Sequence, residues 1–263
     1  MKKVLIVGGG IAGLAAGIYA RKSGFQSVIF EQRAIPGGEC TGWDRKEFHI
    51  DGCIHWLMGT KPGTGLHSVW KEVGALEEKT QIHQPEAFVR AETAEGAVSL
   101  YRDMEQLRNH LMAVSPQDRE EIDMLCRATE AFVGFEPPVD LPLDLMNLPQ
   151  MAGFLLSMGK VRRVMKQLGL LTVEQYSARF QHPAIRLALR AVIPGYYSAY
   201  VLPSALATFI SGNGGRPRGG SRGLALRMAD KFPVIEQVPD NPSPNRHTAL
   251  GIWNLSLTDL PAA

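Results

Sequence analysis

The stretch Val4-Leu5-Ile6-Val7-Gly8-Gly9-Gly10-Ile11-Ala12-Gly13-Leu14-Ala15-Ala16-Gly17 decides the fold. A short apolar run, β-branched at Val4, Ile6 and Val7, leads directly into glycines and then into an alanine-rich segment. Such a run suits a strand covered on both faces in a parallel sheet. Gly8, Gly10 and Gly13 stand in the pattern G-x-G-x-x-G. The first glycine of this pattern allows a tight turn, the second lets a pyrophosphate approach the backbone, and the third lets the helix pack closely on the strand. A helix starting at Ile11 presents unpaired N–H groups and the positive end of its dipole to phosphate.

Working outward, Ile11 to Lys22 predicts that helix, with Gly24 as its stop. Ser27 to Glu31 predicts a second buried strand. Strand, helix and strand within about 30 residues form a right-handed parallel unit. Glu31 closes the second strand 18 residues beyond Gly13, near the ~20 expected of the acid that meets the adenosine ribose. A carboxylate there accepts from ribose hydroxyls and repels a 2′-phosphate, which disfavours NADP.

The 263 residues allow one large domain or two ordinary ones, with enough chain for a hydrophobic core. At 45% hydrophobic and 21% charged residues, wholesale disorder is excluded. With 28 basic against 26 acidic residues, a generally cationic nucleic-acid binder is excluded too. The three cysteines, Cys40, Cys53 and Cys126, show neither a disulfide framework nor metal-ligand spacing. No metal is expected, and a reducing cytoplasm is the expected compartment. Lys2 and Lys3 before an apolar run have the outline of a secretory signal, but the glycines fall where a phosphate-binding turn needs them. No run reaches the ~18 apolar residues of a membrane span.

Past a glycine-rich loop over 36–42, Phe48 to Asp51 predicts a short strand and Leu66 to Val73 a helix. Ala87–Arg90 and Ala97–Tyr101 predict a hairpin turning at Glu95-Gly96. Beyond Asp103 the pattern is helical. Ser115-Pro116 opens a helix to about Val133. Further helices are expected over 150–166, 172–179 (Thr172 and Gln175 form a capping box), 183–192, 202–211 and 221–232, the last capped by Ser221. From Pro233 onward, repeated prolines predict a loose tail.

The segment Glu31-Gln32-Arg33-Ala34-Ile35-Pro36-Gly37-Gly38 resembles the E-x(5)-G-G region of flavin-dependent amine oxidases, carotenoid desaturases and retinol saturases. Phe48-His49-Ile50-Asp51-Gly52-Cys53-Ile54-His55-Trp56-Leu57-Met58-Gly59 is similar to the stretch that follows it in the phytoene desaturase and retinol saturase branch. Pro217-Arg218-Gly219-Gly220-Ser221-Arg222-Gly223-Leu224 is similar to that branch's later P-x-G-G-x-x-x-L element. The resemblance implies an α/β fold: a Rossmann-type FAD-binding domain with a mostly helical substrate domain. It divides the chain into a first FAD-binding part (1–75), a substrate domain (76–204), a return towards the FAD domain (205–232) and an irregular tail (233–263).

FAD, bound non-covalently, is the implied cofactor. Its implied contacts are Gly8, Gly9, Gly10, Ile11, Ala12, Gly13, Glu31, Gln32, Arg33, Gly37 and Gly38. The implied reaction is hydride transfer between flavin and a lipophilic substrate of carotenoid, retinoid or isoprenoid type. His55 is the candidate for substrate polarisation or proton transfer, with a structural role beside Trp56 as its alternative. Cys40 and Cys53 read as small buried apolar groups, with a redox or flavin-linking role as the alternative. Tyr196, Tyr197 and Tyr200 line a substrate tunnel or pack in the core. Arg216, Arg218, Arg222 and Arg227 meet an acidic group or form a solvated face. The basic, amphipathic 154–168 stretch suits docking on an anionic membrane as well as an ordinary core-facing helix. The later flavin motif of the resembled enzymes has no counterpart in 233–263. A truncated, inactive remnant and a dinucleotide-binding module without turnover therefore stand as alternatives.

Overall fold

The computed structural model describes residues 2–141 and 143–232, and the backbone alone of Ile235–Gln237. β1 (Lys3–Val7), α1 (Ile11–Lys22) and β2 (Gln26–Glu31) form the expected strand–helix–strand unit. β1 and β2 run parallel, with Lys3 opposite Gln26 and Val7 opposite Phe30. Two glycines let α1 lie against this pair. A methyl group on Gly13 would stand 2.0 Å from the Gly8 carbonyl oxygen, and one on Gly17 would stand 2.9 Å from the Phe232 ring.

The chain continues through an antiparallel hairpin, β3 (Gly42–Arg45) and β4 (Phe48–Asp51), then β5 (Leu57–Met58), α2 (Gly65–Glu72) and β6 (Ile82–His83). The Thr64 hydroxyl caps α2 by accepting from His67 N–H. A longer hairpin follows, β7 (Ala87–Thr93) and β8 (Gly96–Tyr101), turning where Glu95-Gly96 predicts it. The α-helices that come next among the described residues are α3 (Met104–Val114), α4 (Arg119–Phe132), α5 (Leu148–Ser157), α6 (Gly159–Leu168), α7 (Val173–Ser177), α8 (Pro183–Val192) and α9 (Val201–Ile210). The chain then returns to the first unit through β9 (Gly214–Pro217), α10 (Gly220–Asp230) and β10 (Ile235–Gln237). β9 sits between β5 and β6, antiparallel to both.

Two hydrophobic cores result. Leu14, Ile18, Ile29, Leu224, Met228 and Phe232 lock α1, β2 and α10 together. Leu100, Leu107, Leu111, Leu125, Leu189 and Leu206 join the β7–β8 hairpin to the helices. Neighbouring residues divide between the two: Trp56 packs on the helical core, and Leu57 belongs to the sheet core.

Three sequence expectations need correction. The helix expected over 150–166 is two helices, because the chain re-enters at Met158, with Gly159 supplying a weak helix former at the joint. Ser221 does not cap α10. Gly219, at φ 87, holds the cap position, where the backbone is left-handed. Part of the expected loose tail is ordered: Ile235–Gln237 pair in parallel with Ile29–Glu31 of β2. Three residues between Pro233 and Pro239 are too few for a period to show. The rest of that tail lies outside the described residues.

Among the described residues β1 is an edge strand, and Leu5 and Val7 are 44% and 64% exposed. No helix among them is long and apolar enough to cross a membrane.

What ties the returning segment to the front of the chain is Asp51. Its Oδ2 accepts from Ser221 N–H at 2.6 Å, at the start of α10. Its Oδ1 accepts from the N–H groups of Cys53 and Ile54 at 3.0 and 3.1 Å and from the Ser221 hydroxyl. An acid from β4 thus supplies the negative charge that the helix N-terminus favours. Burial opposes ionisation of Asp51, but the bonds from Ser221, Cys53 and Ile54 together outweigh it and hold the carboxyl below its ordinary 3.8. A lowered native value means that ionised Asp51 stabilises the fold above pH ~4, and that this contribution is lost as pH falls through the native value. Asp51→Asn should cost about 2 kcal/mol and roughly 5 °C in melting temperature near neutral pH. Denaturation curves should show the gap from wild type closing below pH ~4. A gap that persists unchanged in acid would contradict the role of the charge.

Candidate dinucleotide site

The turn after β1 is built from backbone. Gly8 N–H donates to Phe30 O at 2.8 Å, extending the pairing of β1 with β2, and Gly8 takes φ 99. Leu14 N–H donates to Gly10 O at 2.9 Å. The N–H groups of Ile11, Ala12 and Gly13 lie ahead of that bond, at the helix mouth. Gly10 differs from its neighbours. It sits at φ −69, and the nearest atom to a methyl placed on it would be Gly38 Cα, at 3.8 Å. The backbone conformation and the packing would both accept alanine there.

Glu31 is 8% exposed. Its Oε2 accepts from Gly9 N–H at 2.5 Å and its Oε1 from Arg33 N–H at 2.8 Å. A carboxylate has about four acceptor sites, so capacity remains for hydroxyl donors. Gln32, beside it, is exposed. The second glycine pair is stitched to the first turn: Gly37 N–H donates to Gly9 O at 2.8 Å, and Gly10 and Gly37 form a parallel bridge. Arg33 Nη1 donates to Gly38 O at 3.3 Å. Gly37 and Gly38 have φ 126 and 60, and a methyl on Gly37 would stand 2.8 Å from Ala225 Cβ. The structure thus gathers the Gly8–Gly13 turn, Glu31 to Arg33, and Gly37-Gly38 into one place.

Beside them opens a cleft of about 300 Å³, lined in part by Arg33, Gly38, Cys40 and Arg222. Arg222 comes from the first turn of α10. Two other arginines of that cluster are committed elsewhere. Arg218 donates to Gln81 Oε1 at 3.1 Å and Arg227 Nε donates to Ala75 O at 2.8 Å, while Arg216 is exposed on β9. Burial lowers the pKa of Arg227, and its Nη2 is buried without an acceptor among the described residues. Arg222 is named in sequence as one of four clustered arginines and Asp51 as part of the 48–59 stretch, but nothing local links Asp51 to α10. Asp51 meets its partner 170 residues away, so only the fold brings the two together.

His55 is exposed and has no hydrogen bond to the described residues. Its ring lies 6.4 Å from that of Trp56. Trp56 packs edge-on against Phe88 at 4.8 Å, and Phe88 stacks on Phe209 at 4.7 Å. His55 therefore stands at the junction of the two cores. Tyr196 and Tyr197 are 77% and 46% exposed, so neither packs in the core. Cys40 is half-buried and Cys53 exposed, against the reading of both as buried apolar groups, because the β3–β4 hairpin lies outside both cores. The buried cysteine is Cys126.

Residues 6–73 match the NAD(P)-binding Rossmann-like domain family. The chain is 29% identical over 122 residues to phytoene desaturase (lycopene-forming) of Pseudescherichia vulneris, a match covering 46% of this chain and 24% of that protein. It is 23% identical over 247 residues to all-trans-retinol 13,14-reductase of Homo sapiens, covering 89% of this chain and 39% of that protein. A putrescine oxidase mutant shares the fold at TM-score 0.51 and 18% identity, over 90% of this chain and 50% of its own. The chain thus spans well under half the length of the curated relatives it matches. Residues 6–73 thus match a Rossmann-like dinucleotide-binding domain, and the chain is distantly similar to phytoene desaturase and retinol reductase.

Proposed function

We propose that the chain binds FAD and belongs to an oxidoreductase that moves a hydride between the flavin and a lipophilic substrate. Gly10 carries this reading. Its glycine is required neither by φ nor by packing, yet it stands at the helix mouth where a pyrophosphate would approach. The bare backbone is explained by a ligand that needs the space. In this reading the N–H groups of Ile11, Ala12 and Gly13 meet phosphate, Glu31 accepts from the ribose hydroxyls, and Arg33 and Arg222 place positive charge at the cleft. The flavin, when bound, supplies the hydride chemistry. Gly37-Gly38 against Gly10 and the flavoenzyme relatives support FAD over NAD, although the matching family model is described by NAD(P). His55, exposed and free of hydrogen bonds to the described residues at the junction of the cores, can take or give a proton there. Cytoplasmic location is part of the same proposal.

A second reading, a dinucleotide-binding module without turnover, is favoured by the edge position of β1 among the described residues, where Leu5 and Val7 are exposed. Titration separates the readings in two steps. Wild type should take up FAD in preference to NAD, seen as flavin absorbance and a raised melting temperature. Gly10→Ala should keep the melting temperature of the cofactor-free protein while weakening FAD binding about 100-fold, which is roughly 2.7 kcal/mol. NAD bound more tightly than FAD, or Gly10→Ala binding FAD as wild type does, would defeat the FAD assignment. Bound flavin that no phytoene-like or retinoid substrate reduces or reoxidises would favour the module.

The proposed substrate class has a surface to match. α5 buries no residue; Leu148, Leu155 and Leu156 are 87%, 55% and 81% exposed. α6 turns Val161, Val164 and Leu168 inward and leaves Lys160, Arg162, Arg163 and Lys166 outside. No acidic residue occurs between Asp144 and Glu174. An apolar helix beside an uncompensated basic one fits peripheral docking on an anionic membrane, where each cation contributes about 1 kcal/mol. Sedimentation with phosphatidylserine-containing vesicles should show binding. Replacing Arg162 and Arg163 with alanine should weaken it about 30-fold. Equal binding to neutral phosphatidylcholine vesicles would argue against the electrostatic part.

A further inference from the structure

Two thiols meet at the open end of the β3–β4 hairpin. Gly42 pairs with Asp51, and the register continues outward as Gly52 N–H donates to Thr41 O at 2.8 Å. One place further, Cys40 faces Cys53, with the Sγ atoms 3.8 Å apart. Directly opposed antiparallel residues have Cα atoms about 4.5–5.5 Å apart. That lies within the range of about 4.4–6.8 Å that a disulfide spans. With the sulfurs already 3.8 Å apart, a small approach of the hairpin ends and side-chain rotation would bring them to bonding distance.

The pair is neither in a core nor committed to another task. Cys53 is exposed, while half-buried Cys40 lines the cleft next to Gly38 and Arg222. Cys40 N–H donates to Gly37 O at 3.0 Å, so this thiol belongs to the loop that carries the second glycine pair. Cys53 N–H donates to Asp51, so the other thiol belongs to the clasp on α10.

We propose that Cys40 and Cys53 are a reversible redox dithiol, closed to a disulfide by a small hydroperoxide or by a small disulfide such as oxidised glutathione. The exposed Cys53 thiolate attacks first. With hydrogen peroxide the O–O bond breaks, Cys53 becomes a sulfenic acid, and hydroxide leaves to be protonated to water. Cys40 then attacks the Cys53 sulfur, and the S–O bond breaks. The thiol proton of Cys40 leaves with the hydroxyl as a second water, and the S–S bond forms. The two thiols lose two electrons and two protons, and one peroxide becomes two waters. With oxidised glutathione, a mixed disulfide on Cys53 replaces the sulfenic acid, and the two glutathione thiols leave in turn. Burial first, then the neighbouring Cys53, Asp51 and Glu39, push the Cys40 thiol up to about 12. Cys40 is therefore the resolving partner and not the first attacker.

The test uses the full chain and needs no cofactor, so it stands apart from the dinucleotide reading. Reduced protein is treated with hydrogen peroxide or oxidised glutathione, remaining thiols are alkylated, and peptides are mapped without reductant. A peptide pair joined through Cys40 and Cys53 within one chain, reopened by dithiothreitol, is expected. Cys40→Ser should stop at a sulfenic acid or glutathione adduct on Cys53. Cys53→Ser should give neither link nor adduct at Cys40. Buried Cys126 should stay reduced throughout. In wild type, a lasting adduct on Cys53 beside a free Cys40, two alkylated thiols after oxidation, or a link only between chains would each overturn the proposal.

Discussion

The contact between Gly13 and the Gly8 carbonyl is the constraint on which the rest of the molecule rests. No side chain fits between α1 and the turn, since a methyl on Gly13 would lie 2.0 Å from that oxygen. The helix is therefore held at backbone distance from the turn. That places its N-terminal N–H groups at the end of β1, beside Gly10, where a methyl group would meet Gly38 Cα at 3.8 Å. The same closeness runs along the helix to Gly17, whose bare face receives Ile29 and Phe232. Phe232 is the last described residue of the segment following α10, and Arg21 lies over its ring at 4.3 Å. One row of absent side chains thus sets both the phosphate-facing turn and the seat for the returning chain.

The return has to be fastened as well as seated. Between β2 and β9 the chain makes a long excursion through the helical core, and β9, α10 and β10 then come back with only short strands to register them. Asp51 supplies the missing specificity. It is a charged acceptor at the end of β4, and the donors it meets include the main-chain and side-chain groups of Ser221 at the start of α10. Gly220 must be glycine for this to work, because a methyl there would stand 2.1 Å from Asp51 Oδ2. A hydrophobic seat at Phe232 allows some sliding; a directional cluster at Asp51 does not.

How much of this could be read from residues depended on the range of the interaction. The boundaries of the first strand–helix–strand unit were legible almost to the residue, because its signals are local: β-branched runs, three spaced glycines and a closing acid. The burial expected of β1 was not met: among the described residues it is an edge strand with Leu5 and Val7 exposed. The Thr172–Gln175 capping box and Pro183 at a helix start were equally legible, since each is satisfied within a turn. The site around Glu31 was legible as a set of residues but not as a network. That Gly9 and Arg33 occupy two of its acceptor positions follows from the bend of the chain back across β2. β5, β6, β9 and β10 carry two to four residues each. They exist only through pairing with distant chain, so no periodicity announces them. Cys40 and Cys53 were misjudged for a related reason. Composition favours burial of cysteine, and only the hairpin register puts these two outside both cores.

The β3–β4 hairpin is where these lines meet. It opens directly after Gly37-Gly38, closes at Asp51, and is followed within five residues by His55 and Trp56. A displacement of its open end would be felt at three places at once: the glycine pair against Gly10, the fastening of α10, and the aromatic bridge from Trp56 to Phe88 and Phe209. Its strands are four residues long, and Trp43 and Phe48 are 51% and 66% exposed, so its own packing supplies little resistance. Its position is fixed chiefly near its open end, where Asp51 accepts from Ser221 of α10 and Gly37 N–H donates to Gly9 O, and α10 lies beside both strands. An element so placed passes a small change at one attachment to the others, because it has no core of its own to absorb it.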